Sequence, residues 1–116
     1  MKSKVEAEFQ AKVIEEIKQR LPGCYVLKND PNYMQGIPDL LILYKKKWAM
    51  LETKRGKDAP YRPNQEWYLK QLGYLSFASV IFPENKEEVL DALERSFKVR
   101  RSTRVSVSVP VSLDKL

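Results

Sequence analysis

The chain has 116 residues, one cysteine, no histidine and a formal charge of +6, which leaves room for one domain and makes an anionic partner such as nucleic acid or an anionic membrane face as natural an expectation as plain solubilising charge. A lone cysteine excludes an intramolecular disulfide and a thiolate zinc site, and the missing imidazole excludes Ser-His-Asp and Cys-His hydrolases, HExxH metalloproteases and histidine-based nucleases. Any catalysis would then rest on carboxylates, lysines and a cation held by oxygen ligands.

Residues 3–21 predict an amphipathic helix that stops at Pro22-Gly23. At ~100° per residue, Val5, Phe9, Val13, Ile14, Ile17 and Leu21 fill one half of the wheel, and Glu8, Lys12 and Glu15 fall on the other. Glu6 lies inside the apolar arc, where it either overhangs the core at the helix start or points into a site. CYVLKN (24–29) reads as a strand and DPNYMQGIP (30–38) as a loop. LLILY (40–44) and WAMLETK (48–54) are apolar on both sides and predict central strands covered on both faces. RGKDAPYR (55–62) is a basic loop. Pro63 suits the first position of a helix through PNQEWYLKQL, with Gly73 as its C-terminal cap. LSFASVIF (75–82) is a further strand, and Asn85, with Glu88 after it, opens a helix to about Phe97. The tail from 99 to 116 carries arginines and then Val/Ser alternation broken by Pro110, the pattern of an edge strand, an exchanged arm or a disordered end. The order is αβββαβα with an optional last strand, an α/β fold with a central mixed sheet flanked by helices. No apolar run approaches the roughly 20 residues of a membrane span and no signal-peptide core follows the first lysines, so no membrane and a cytoplasmic location are expected.

Asp39 begins the first strand of the hairpin, and Glu52 and Lys54 close the second. A two-residue loop at Lys45-Lys46 sets Asp39 opposite Glu52, one at Lys46-Lys47 sets it opposite Lys54, and a three-residue loop sets it opposite Thr53. Glu52 and Lys54 share a face in any register. Two adjacent carboxylates repel unless one is protonated or a cation lies between them. A hard divalent ion such as Mg²⁺ suits them, with the Thr53 carbonyl as a further ligand. Lys54 could then hold the attacking water or stabilise charge on a phosphate. A cross-strand salt bridge of Lys54 with Asp39 or Glu52 is the plainer alternative. Gln65 lies on the face of Tyr68, Leu69 and Leu72, so a polar group points toward the sheet, either as a site residue or bonded to backbone.

Gly36-Ile37-Pro38-Asp39, a hydrophobic strand and Glu52-Thr53-Lys54 resemble the PD-(D/E)xK signature of restriction-endonuclease-like nucleases. With an early glutamate-bearing helix and a later helix opening on P-N-Q, the pattern from Glu6 to Leu93 is closest to the small stand-alone phage and bacterial members of the VRR-NUC family. The resemblance implies a nuclease domain over residues 1–98 and a basic tail over 99–116. It implies Asp39 and Glu52 as metal ligands, Lys54 as the catalytic lysine and Gln65 as its companion. The metal-completing glutamate of the first helix is Glu6 or Glu8 by position, and the wheel favours Glu6. The implied activity is Mg²⁺- or Mn²⁺-dependent hydrolysis of DNA to 5′-phosphate ends, on branched, flapped or Holliday-junction-like substrates, by a homodimer acting in a bacterial cytoplasm. Lys28, Arg55, Lys57, Tyr61 and Arg62 are candidate contacts to the nucleic acid, each with solvated surface charge or plain exposure as the alternative. The alternative function is a non-catalytic nucleic-acid-binding module that keeps the fold. The tail has no counterpart in the family pattern.

Overall fold

The computed structural model describes residues 3–98, and the tail expected at 99–116 lies outside them. Helix α1 (Lys4–Arg20) starts with a capping box, in which Ser3 Oγ accepts from Glu6 N (3.1 Å) and Glu6 Oε1 accepts from Ser3 N (3.4 Å). Phe9, Val13 and Ile17 are buried along one stripe of the helix, and Glu6 and Gln10 are buried with them nearer its start. Val5, expected on the apolar side, is 61% exposed. It sits at the rim of the arc, about 100° from Glu6, where the helix turns toward solvent.

Strands β1 (Tyr25–Lys28), β2 (Leu40–Tyr44), β3 (Lys47–Thr53) and β4 (Phe77–Ile81) form one sheet in the order β1-β2-β3-β4. The first three are antiparallel neighbours, and β4 is parallel to β3. A parallel neighbour needs a crossover, which helix α2 (Gln65–Leu75) supplies. A 3₁₀ turn (Pro83–Asn85) then leads into helix α3 (Lys86–Lys98). The element order is the one expected from the sequence.

The core lies between one sheet face and the pair α1 and α3. Val13, Ile17 and Leu21 meet Leu40, Ile42, Ala49, Leu51 and Ile81 from the sheet, and Val89, Leu90, Leu93 and Phe97 from α3. The opposite face is only half covered, against the expectation for β2 and β3. Leu41 pairs with Met50 and Leu43 with Trp48 on that face, all partly exposed, and Tyr25 and Leu27 of β1 are exposed beside them. Helix α2 packs chiefly on β4 and adds no residue to the core cluster. An apolar strand run therefore reported the sheet's composition, not its coverage.

Helix boundaries shift for local reasons. Helix α2 begins at Gln65 instead of Pro63, because Asn64 takes a left-handed backbone (φ 72°) before it. Gly73 lies inside the helix, which ends when Ser76 N donates to Leu72 O. Asn85 stands directly before α3, but its Oδ1 accepts from Phe82 N (2.8 Å) and so caps the preceding turn. Lys47 Nζ donates to the carbonyls of Ser96 and Phe97 (3.3 Å each), fastening the hairpin to the last turn of α3.

Helices α1 and α3 are also joined by charge. Arg20 reaches Asp91 (2.8 Å), Glu87 (2.9 Å) and Glu94 (3.2 Å), and Lys86 pairs with Glu16. The hydrogen bond to Asp91, with Glu87 and Glu94 nearby, holds Arg20 above its usual value, and the bond from Lys98 holds Glu94 below the usual carboxylate range. A carboxylate with a depressed folded pKa stabilises above its unfolded pKa, and that contribution is lost as pH falls through the folded value. Arg20→Gln is expected to cost on the order of 1 kcal/mol at neutral pH. Thermal unfolding of both proteins should show the gap narrowing as pH is lowered past about 4 and as salt is raised.

Candidate active site

The hairpin closes on two residues, Lys45 and Lys46, with Lys45 at positive φ (57°). The ladder runs from Tyr44↔Lys47 to Leu40↔Leu51, and one step further sets Asp39 against Glu52. This is one of the registers the sequence allowed. Asp39 is held on both sides through its own backbone groups. Its carbonyl accepts from Asn29 N (2.7 Å), and its own N–H donates to Glu52 Oε1 (3.2 Å). Its Oδ2 accepts from Thr53 N (3.1 Å), Thr53 Oγ1 (2.5 Å) and Gln10 Nε2 (3.1 Å). Bonds converging on one oxygen fix the plane of the carboxyl group.

Glu52 points the other way along the cleft, toward the start of α2. Glu52 Oε2 accepts from Gln65 Nε2 (3.0 Å) and lies 3.8 Å from Lys54 Nζ. Lys54 Nζ donates to Gln65 Oε1 (2.8 Å) and to the Pro60 carbonyl (2.9 Å), and it stands 5.2 Å from the Tyr61 ring centroid. The Gln65 amide thus bridges a carboxylate and an ammonium, giving hydrogen to the first and accepting from the second. Arg62 N also donates to Gln65 Oε1 (2.7 Å), which ties the basic loop to the same group. Glu52, Lys54 and Gln65 are buried, at 3%, 5% and 7% exposure. Buried charge is tolerated when paired and fully hydrogen-bonded, and this trio satisfies that condition together.

Asp39, Glu52, Lys54 and Gln65 line one cleft of about 640 Å³, along with Glu6, Gln10, Lys28, Arg55 and Arg62. Lys57 is exposed on the loop and does not line the cleft, nor does Tyr61, whose ring meets Lys54 instead. Thr53 is fully buried and reaches the site through its Oγ1 and N–H toward Asp39. Glu6 lines the cleft, with its Oε1 in the capping box. Among the described residues, no group of three from His, Cys, Asp and Glu is set to hold a metal ion. The hard-oxygen donors Asp39 and Glu52 nevertheless fit Mg²⁺ chemistry, because that ion usually takes one or two carboxylates and keeps several waters. The sequence pattern does not single out Gln10 by itself. Four residues after Glu6, it falls in the same inward arc of the wheel, which was the available signal.

Gly36 shows why the loop before Asp39 needs glycine. Its φ is 94°, and a Cβ there would stand 2.6 Å from Asn64 Cβ and 2.8 Å from the Pro63 carbonyl oxygen. The two loops that flank the site therefore touch at a residue without a side chain.

No protein-family model matches the sequence, and no curated protein matches it either. A solved structure described as a VRR_NUC domain protein superposes with a TM-score of 0.62, over 85% of this chain and 93% of that one, at 18% identity. The fold is restriction-endonuclease-like. In this fold the hairpin delivers Asp39 and Glu52, the residue after β3 is Lys54, and the first residue of α2 is Gln65.

Gly36→Ala is expected to cost ~1–3 kcal/mol in urea unfolding, through backbone strain and displacement of Asn64. Gln65→Leu keeps the side-chain volume but takes one hydrogen bond from each of Glu52 and Lys54, and is expected to cost ~1–3 kcal/mol more than surface substitutions on the same helix, such as Lys70→Leu.

Proposed function

We propose that the protein is a Mg²⁺- or Mn²⁺-dependent DNA endonuclease that hydrolyses phosphodiester bonds in branched, flapped or junction DNA. The observation that carries the reading is the hydrogen-bonded set Asp39, Glu52, Lys54 and Gln65 along one cleft. A divalent ion held by Asp39 and Glu52 would neutralise phosphate charge and acidify a water. Lys54 orients the attacking water or stabilises charge growing on the phosphoryl oxygens, and Gln65 keeps the ammonium in place. Water adds to phosphorus, the bond to the 3′ oxygen breaks and that oxygen leaves with a proton, which gives a 5′-phosphate end. Lys28, Arg55 and Arg62 at the cleft contact flanking phosphates, with Lys57 and Tyr61 further out on the same loop. A homodimer belongs to this reading, because two-fold symmetry suits a four-way junction.

The second reading is a nucleic-acid-binding module that keeps the fold without catalysis. It is favoured by one observation, that Glu6 does not join Asp39 and Glu52 in a three-carboxylate group. Cleavage of labelled junction, flap and linear duplex with Mg²⁺ or Mn²⁺ decides between the two. The nuclease reading expects cutting that EDTA abolishes and that Lys54→Ala lowers roughly a hundredfold or more. Junction binding without cutting in either metal, by a protein that binds neither ion, would establish the module.

A further inference from the structure

Gln10 is 7% exposed, lines the cleft, and points its amide at the residue on which the site is centred. Its Nε2 donates to Asp39 Oδ2 and to Thr53 Oγ1, both at 3.1 Å. The carboxylate decides the orientation of the amide, because the opposite one would press two oxygens together. The same choice leaves Gln10 Oε1, on a residue that lines the cleft, with no hydrogen bond among the described residues. Buried polar atoms are satisfied in folded proteins by protein, water or an ion, so this one calls for a partner. Glutamine at a buried helical position has an apolar alternative of equal volume in leucine, and Gln10 has Phe9 and Val13 as neighbours on the same stripe.

We propose that Gln10 belongs to the cation site, with its Nε2 fixing Asp39 and its Oε1 offering the divalent ion a neutral oxygen. This inference rests on the nuclease reading, since it supposes a cation between Asp39 and Glu52. A neutral amide oxygen is a normal ligand for hard cations alongside carboxylates. It occupies the place on α1 next to Asp39 without adding negative charge, so it adds nothing to the repulsion between Asp39 and Glu52 when no ion is bound.

The test is Mn²⁺ binding without DNA, by titration calorimetry and by electron paramagnetic resonance of free Mn²⁺. It compares wild type, Asp39→Asn, Gln10→Leu and Gln10→Glu, with thermal unfolding of each in EDTA as the folding check. The expected result is roughly tenfold to a hundredfold weaker binding by Gln10→Leu, the range for groups that orient or support metal ligands. Gln10→Glu is expected to bind Mn²⁺ more tightly than wild type and to be less stable in EDTA, because a carboxylate near Asp39 needs the ion. If Gln10→Glu instead weakens binding as Gln10→Leu does, Gln10 only positions Asp39 through Nε2 and the ligand role is overturned. If Gln10→Leu binds as wild type does, Oε1 meets only water and the proposal also falls, while the nuclease reading stands. Failure of wild type itself to bind Mn²⁺, or binding untouched by Asp39→Asn, removes the cation site and the nuclease reading with it. Should Gln10→Leu not fold, Gln10→Met, unbranched and of similar volume, replaces it.

Discussion

The structure turns on the Gln65 amide held between Glu52 and Lys54. Each of the two charged groups would be costly to bury alone, and neither is exposed by more than a few per cent. The amide meets both demands at once, donating at 3.0 Å and accepting at 2.8 Å. Because Gln65 is the first residue of α2, this arrangement also ties the start of the crossover helix to the sheet. The Arg62 N–H on the same amide oxygen and the Pro60 carbonyl on Lys54 then draw the basic loop against the sheet. Fold and site are thus joined by the same few hydrogen bonds.

Asp39 is held by a different set of bonds from a different side. Thr53, on the opposite face of β3 from Glu52, points its hydroxyl at Asp39, and Gln10 reaches it from α1. Adjacent residues of one strand therefore serve two walls of the cleft, as the pleat requires. One wall is tied to α1 and the core, the other to α2 and the loop. Asp39 N–H on Glu52 Oε1 is the direct link between them. The floor of this cleft is cross-linked by hydrogen bonds, while its rim of Arg55 and Arg62 is exposed on a loop.

The two sheet faces differ in what they ask of the sequence. The face under α1 and α3 is closed by a continuous core and by the Arg20 and Lys86 ion pairs at its outer edge. The other face is left to α2, which packs mainly on β4. Leu41, Leu43, Trp48 and Met50 are consequently half-covered, although their sequence context is as apolar as that of the core.

Much was legible in the sequence. Periodicity, turn residues and caps determined the order of helices and strands, because those signals are local and report backbone preference directly. Asp39, Glu52, Lys54 and Gln65 stood out because polar residues interrupt apolar elements only at a cost. Only the tertiary structure chose the hairpin register, through the positive φ of Lys45, from registers that the three lysines left open. It also decided that Gly36 and Asn64 touch, that Asn85 caps backward to Phe82, and that one sheet face stays half open. Gln10 was decided at the same level. Its place on the wheel was readable, but its partners lie 29 and 43 residues away in the chain. A local pattern can say that a side chain points inward; only packing brings the group that it meets.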